Sequence, residues 1–259
     1  MTAPDQVLIE RPSNEIVVLR LNRPQVRNAL NLEVRVRLAE EVTRHAADPA
    51  VRCLIVTGSD AAFAAGADIS EMAKASPTEI LAANAQKYWR TITECPKPLI
   101  AAVEGYALGG GLELALCADI IVAAEGAKLG LPEVKLGILP GGGGTQRLAR
   151  LAGSKRAMLL LMTGRMFGAA EALAMGVISE VAPTGQALPR ALEIAAEIAA
   201  MPLISVMQIK EVVNAGLNMP LHVALAMERR AFAMQFATSD QKEGMSAFLE
   251  KRKPKFEGK

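Results

Sequence analysis

Two glutamates stand where acids are not expected. Glu113 lies in the run Gly109-Gly-Gly-Leu-Glu113-Leu-Ala-Leu, and Glu133 in Leu129-Gly-Leu-Pro-Glu133-Val, shortly before the glycines 141 to 144. A carboxylate in apolar surroundings loses hydration, and desolvation lifts its pKa toward the range useful to a general acid or base. One such glutamate is ordinarily a partly exposed helix or loop residue. Two of them, each beside a glycine cluster, point to a catalytic pair.

The glycines supply a third partner for that pair. Gly109 to Gly111 leads from a strand and turn into the apolar helix that carries Glu113, so unpaired N–H groups at the helix start face whatever binds there. A second donor is available in the Gly66–Ala67 loop, which follows the strand ending at Thr57. Two backbone donors from two loops are the usual composition of an oxyanion hole. Taken singly, each cluster reads as turn glycines; combined with two carboxylates, the clusters read as a site.

Other chemistries fit poorly. Gly141 to Gly144 lacks the lysine of a phosphate-binding P-loop, and Gly-x-Gly-x-x-Gly fails at both clusters, where Leu114 and Gln146 occupy the last position. No Gly-x-Ser-x-Gly elbow is present. His45 and His222 are too isolated for a metal centre, and His45 falls near the end of a helical pattern, where a helix-dipole contact accounts for it. Cys53, Cys95 and Cys117 lack metal-ligand spacing and read as small buried hydrophobes in a reducing compartment.

The elements that must position the two acids alternate in type. Short β-branched runs at Ile16–Leu21, Cys53–Thr57, Leu99–Val103 and Ile120–Ala123 have the length of buried strands. Helical patterns over Leu32–Ala47, Pro77–Thr93 and Gly110–Cys117 separate them, which predicts an α/β core. Beyond about Ala187 the strand signal ends, and helices are predicted over Leu188–Ala200, Leu203–Ala215, Leu221–Ala237 and Asp240–Lys251. Pro202 and Pro220 fall at helix starts, where a missing N–H is harmless. Met227, Phe232, Met234 and Phe236 recur at helical spacing, equally suited to internal packing and to a subunit interface.

Composition narrows the partners. The chain has 259 residues with Lys+Arg 29 against Asp+Glu 27, a balance that provides no field for nucleic acid. Aromatic residues make up 3%, too few for a base-stacking surface. The basic run Lys251–Lys255 suits a solvated terminus as well as contact with a phosphate-bearing ligand or neighbouring subunit. Met1 to Arg11 lacks the pattern of a signal peptide, and no apolar stretch approaches the roughly 20 residues of a membrane span, so a cytoplasmic protein is expected.

The stretch from Lys97 through Ala-Leu-Gly-Gly-Gly-Leu-Glu113, followed by Leu131-Pro-Glu-Val through Gly-Gly-Gly-Gly-Thr-Gln-Arg-Leu148, resembles the enoyl-CoA hydratase/isomerase (crotonase) family. The likeness extends to Leu21–Leu30, Phe63–Met72, Leu161–Gly164, Ala172–Val177 and the tail from Glu243 to Arg252. It implies a spiral of ββα units over about residues 1–195, with residues 196–259 as a helical trimerisation region, giving a homotrimer or a homohexamer of paired trimers. It also implies an acyl-CoA thioester substrate whose carbonyl oxygen is held by the N–H groups of Ala67 and Gly110. Ala65, Asp68, Ile69 and Ser70 would line the CoA site, with Arg27 and Ala29 beside the nucleotide or pantetheine arm.

Within the family, both glutamates together mark the hydratase branch, so the implied reaction is addition of water to a trans-2-enoyl-CoA. Glu113 would deprotonate the water, Glu133 would protonate C2, and the N–H of Gly141 would help place the water. No metal or redox cofactor is implied. The likeness leans toward hydratases acting on 2,3-dehydroadipyl-CoA in phenylacetate degradation. A Δ3–Δ2 enoyl-CoA isomerase is the nearest alternative. A third, an RNA-binding relative, would need a lysine-rich helix, and residues 70 to 90 offer only Lys74, Lys87 and Arg90. Two departures stand out: Ser70 occupies a place often held by lysine, leaving Arg27 or Lys255 to meet the CoA phosphates, and Glu104 replaces a common asparagine and reads as structural.

Overall fold

A computed structural model describes residues 5–259; residues 1–4, part of the segment read above for a leader, lie outside it. The chain runs β1 (Val7–Glu10), β2 (Ile16–Leu21), α1 (Leu32–Ala47), β3 (Cys53–Thr57), β4 (Ala62–Ala64), α2 (Ile69–Met72), α3 (Pro77–Ala83) and α4 (Gln86–Thr93). It continues through β5 (Leu99–Val103), β6 (Tyr106–Leu108), α5 (Gly110–Ala115), β7 (Ile120–Ala124), β8 (Lys128–Gly130), a 3-10 helix (Pro132–Leu136), α6 (Gly144–Ala152) and α7 (Ser154–Thr163). The last elements are β9 (Phe167–Gly168), α8 (Ala169–Ala174), β10 (Glu180–Ala182), α9 (Ala187–Ala199), α10 (Leu203–Gly216), α11 (Leu221–Gln235) and α12 (Ser239–Leu249).

Two sheets share these strands. The larger has six strands in the order β1-β2-β3-β5-β7-β10, and the smaller four in the order β4-β6-β8-β9. In the larger sheet only the β1–β2 pair is antiparallel. Each turn of the chain adds one parallel strand to the large sheet and then one to the small sheet before leaving through helices: β3 then β4, β5 then β6, β7 then β8. The result is the expected spiral of ββα units. It brings the ends of β4, β6 and β8 side by side, and the segments that follow them, a loop, α5 and the 3-10 helix, carry every candidate residue of the oxyanion site and acid pair.

The central strands β3, β5 and β7 are almost wholly apolar because both of their faces are covered. Leu54, Val56, Ala101 and Val103 face a core shared with Phe63, Ala107 and Leu129 of the small sheet. Their alternates Cys53, Ile55, Ile100 and Ala102 face Ala187, Ala191, Ala195 and Ala199 of α9. Alanines four residues apart give that helix a flat face, so it lies close against the sheet. The division expected near residue 195 therefore falls inside a helix that belongs to the core; the chain turns away at Pro202, where α9 and α10 meet at 110°.

The strands at Ile16–Leu21, Cys53–Thr57 and Leu99–Val103 and the helix at Leu32–Ala47 coincide with the sequence patterns. Asn31 starts that helix by accepting the Val34 N–H at 2.9 Å. The pattern over Pro77–Thr93 is two helices instead of one, broken where Asn84 adopts a left-handed φ of 42°. His45 is buried rather than poised as a cation at a helix end. Burial, followed by the charges of Arg44 and Arg11, pushes its pKa down. Among the described residues no single helix is long and apolar enough to cross a membrane.

Candidate active site

The two candidate oxyanion donors, Ala67 and Gly110, come from two segments held edge to edge. Gly66 adopts φ 115°, and Leu30 zips this loop to the early motif, donating to the Gly66 carbonyl at 2.7 Å while its own carbonyl accepts the Asp68 N–H at 3.4 Å. These bonds leave the Ala67 N–H out of the pairing. The second loop turns at Gly109, with φ 52° and ψ −127°, a conformation closed to residues with a side chain. A Cβ added to Gly110 would stand 3.4 Å from the Ala67 nitrogen, so the two amides are neighbours with no side chain between them. A Cβ on Gly111 would lie 2.0 Å from the Ala64 carbonyl oxygen, which explains the third glycine of the run.

Glu113 sits on α5 one turn into the helix and is 3% exposed. Its Oε1 accepts the N–H groups of Gly142 at 2.7 Å and Gly144 at 2.8 Å. Burial raises its pKa; the two amides and then the Arg147 charge oppose that rise. A Cβ on Gly142 would come within 2.7 Å of Glu113 Oε2 and 2.9 Å of the Trp89 indole nitrogen, so only glycine admits the carboxylate here.

Glu133 is the second residue of the 3-10 helix and is 9% exposed. Its Oε1 lies 3.2 Å from the position a Cβ on Gly109 would take, beside the oxyanion loop. Its Oε2 is buried with no hydrogen-bond partner. Burial first, with a smaller contribution from the Glu113 charge, lifts its pKa to about 7. The two acids are thus differently held: one carboxylate is stabilised as an anion by two amides from another loop, while the other has a buried oxygen without a donor and, with a pKa of about 7, keeps a protonated fraction near neutrality.

Gly141 does not share in holding Glu113. It is exposed, and its carbonyl accepts the Gln86 side chain, so the glycine run meets the acid through Gly142 and Gly144. The run signalled a site without revealing which amides it would use. Trp89 and Arg147 were also missed, since an isolated tryptophan and an arginine in a helix carry no distinguishing spacing.

The residues expected along the CoA arm lie together on the zipped loop. The Ala65 N–H donates to the Arg27 carbonyl at 2.9 Å, Ala29 presents its carbonyl to Arg23 at 2.6 Å, and the exposed Arg27 guanidinium lies 5.8 Å from the Tyr106 ring centre. Asp68 starts α2 by accepting from the Ser70 N–H and hydroxyl, at 3.3 and 2.6 Å, and pairs with Arg23 at 3.2 Å. Its carboxylate is therefore occupied within the chain. Ile69 and Ser70 are exposed on the first turn of α2. Glu104 is structural, its carboxylate accepting the Ala187 N–H at the start of α9 at 3.0 Å.

A ββα spiral that sets two amides beside a pair of buried carboxylates defines a crotonase-fold protein. The chain belongs to the enoyl-CoA hydratase/isomerase family, whose model matches residues 11–259. It is 45% identical over 257 residues to a crotonyl-CoA hydratase of Syntrophomonas wolfei, covering 98% of each chain. It is 40% identical over 252 residues to a 2,3-dehydroadipyl-CoA hydratase of Escherichia coli, covering 97% of this chain and 99% of the relative. Among solved structures, an enoyl-CoA hydratase subunit I from Geobacillus kaustophilus superposes with a TM-score of 0.96 at 41% identity, over 98% of this chain and 99% of that one.

Proposed function

We propose that the protein is an enoyl-CoA hydratase, a hydro-lyase that adds water reversibly across the 2,3 double bond of a trans-2-enoyl-CoA to give a 3-hydroxyacyl-CoA. The observation that carries this reading is the unequal environment of the two acids. Glu113, stabilised as an anion by two amides, takes a proton from water as its oxygen bonds to C3. The electrons of the double bond move to the thioester oxygen, where the N–H groups of Ala67 and Gly110 stabilise the enolate. Glu133, still protonated, then delivers its proton to C2. Water is consumed, no electrons are gained or lost, and the two carboxyls exchange one proton with solvent to reset, so the reaction calls for no metal or redox cofactor.

In the same reading, Gly141 helps hold the attacking water, and Arg27, Ala29, Ala65, Asp68, Ile69 and Ser70 line the CoA arm. Asp68 acts there through its backbone, because its carboxylate is taken by Arg23. Arg27 supplies the phosphate-facing cation in place of the lysine absent at Ser70. The lysine-rich helix of an RNA-binding relative has no counterpart: Arg90 pairs with Glu94 at 3.4 Å and Lys87 lies over the Tyr88 ring. The three cysteines are buried free thiols, in keeping with a reducing cytoplasm.

A trimer, or a hexamer of paired trimers, is supported by α10 and α11, neither of which fully buries any residue within the chain. The hydratase names carried by the two relatives differ only in the acyl tail. A rate survey over short, long and ω-carboxylated 2-enoyl-CoAs, with a 3-enoyl-CoA included, reads both the tail and the reaction. Dominant conversion of the 3-enoyl to the 2-enoyl thioester would move the assignment to isomerase. Glu113→Gln and Glu133→Gln are each expected to lower crotonyl-CoA hydration by roughly two orders of magnitude or more while CoA-ester binding persists. Near-native hydration by either variant would remove the acid pair from the mechanism.

A further inference from the structure

One charged side chain behind the site has no part in the chemistry described so far. Arg147 lies on α6, just past the glycine run, where its backbone N–H donates to the Gly143 carbonyl at 2.9 Å. Its Nη2 donates to Thr93 Oγ1 at 2.9 Å, and Thr93 in turn donates to the Trp89 carbonyl at 2.9 Å. Its Nε is buried without a hydrogen-bond partner, 3.2 Å from where a Cβ on Gly143 would stand. Among the described residues, no carboxylate lies within ion-pairing distance of this guanidinium. A half-buried cation whose Nε is buried without a partner and whose one side-chain bond is to a neutral hydroxyl is costly unless an anion nearby offsets it.

The anion is Glu113. The amides that hold its carboxylate, Gly142 and Gly144, flank Gly143, against whose backbone the guanidinium rests. We propose that Arg147 is a positioning residue that keeps Glu113 ionised, and so able to take a proton from water, acting across the glycine loop and without touching substrate. Apart from the two amides that donate to its carboxylate, Arg147 supplies the cationic influence on Glu113 among the groups packed around it. The turn after its own helix brings the Cys117 thiol, which donates to the Glu113 carbonyl at 3.3 Å; the 3-10 helix brings Glu133, whose charge would oppose ionisation; α4 places the uncharged Trp89 beside it at Gly142. The charge of Arg147 is accordingly the cationic influence that offsets the burial of Glu113.

The use of Glu113 as a base rests on the hydratase reading, but its ionisation can be measured without turnover. In the full-length protein, the protonated-carboxyl infrared band of Glu113, identified by its absence from Glu113→Gln, is titrated in wild type, Arg147→Gln, Arg147→Lys and Thr93→Val. Arg147→Gln should move that titration up by about one pH unit, Arg147→Lys should leave it close to wild type, and Thr93→Val, which frees the guanidinium from its anchor, should fall between. In parallel, kcat/KM for crotonyl-CoA in Arg147→Gln should fall more at pH 6 than at pH 9, by up to the roughly tenfold that one pH unit allows. An unmoved band in Arg147→Gln, or a band moved as far by lysine as by glutamine, overturns the inference. Should Arg147→Gln not fold, an unmoved band in Thr93→Val overturns it. A shifted band in a wild-type background that hydrates no enoyl-CoA would leave the inference standing and refute the hydratase reading instead.

Discussion

At the scale of single residues, the two glutamates differ in what surrounds them. Glu113 receives two amide hydrogen bonds, whereas Glu133 Oε2 receives none, and burial leaves Glu133 with a pKa of about 7. As the proposed proton donor in hydration, Glu133 must be protonated, so kcat/KM for hydration should fall as pH rises past about 7, with the two acids titrating as a coupled pair. Stability follows the same sign. A carboxyl whose folded pKa is raised adds stability that is complete below about pH 4.5, declines as the unfolded chain ionises, and is gone once pH passes about 7. Glu133→Gln lacks that loss, so at pH 9 it should be more stable than wild type by roughly 2 kcal/mol, after discounting for solvent at the site mouth, and about equal at pH 4. Urea unfolding at both pH values checks it; equal stability at pH 9 would place the Glu133 carboxyl in water. The sequence marked both acids, because a charge in an apolar run is visible in one dimension. Their unequal partners were invisible, because Gly142 and Gly144 reach Glu113 only through the fold.

At the scale of elements, adjacent glycines at the start of α5 do different work. Gly111 packs against the β4 backbone, where a methyl would lie 2.0 Å from the Ala64 oxygen, so Gly111→Ala should destabilise the protein by about 3 kcal/mol or more. A methyl on Gly110 would meet the Ala67 nitrogen at 3.4 Å, an ordinary contact, yet it would occupy the space between the two oxyanion donors. Gly110→Ala should therefore keep a near-native melting temperature while losing on the order of 100-fold in kcat, comparable to loss of one oxyanion donor. Thermal unfolding alongside turnover separates the two effects, and native turnover by Gly110→Ala would exclude that amide from the site. Glu104 is an element-level residue of another kind, placing its charge at the N-terminus of α9. Glu104→Gln should cost about 1 kcal/mol and change hydration less than twofold, since the carboxylate serves the helix end and not the substrate. A large loss of hydration with intact stability would contradict that assignment. The long strands and helices were legible from periodicity, whereas the three-residue strands β4, β6, β8 and β10 were not, because they are too short to show a period.

At the scale of the whole molecule, the core and the C-terminal helices are joined by a few polar ties. Lys210 of α10 pairs with Asp119 at 2.7 Å and reaches the Lys97 carbonyl at 2.9 Å, ahead of β5. Arg52 reaches the Ala199 carbonyl at the end of α9 and the Phe256 carbonyl in the tail, each at 3.3 Å. The tail itself folds back, with the N–H groups of Glu257 and Gly258 on the Asp240 carboxylate at 2.7 and 2.8 Å, and its Arg252 pairs with Glu243 at 2.7 Å. Beyond these ties the helices display apolar residues outward, among them Leu217 at 78% and Phe248 at 83% exposure, more than an isolated chain would carry. Light scattering should accordingly give a mass three or six times the 27.4 kDa of one chain, and a monomer would leave that surface unexplained. The sequence by itself determined the α/β class, the two acids and the glycine-rich loops beside them, because composition, period and local context are properties of neighbouring residues. Only the tertiary structure decided which amides hold Glu113, that Glu133 Oε2 is buried without a donor, and that Arg147 stands behind the glycine loop. Those depend on residues tens of positions apart meeting where β4, β6 and β8 end side by side, and spacing along the chain carries no record of that meeting.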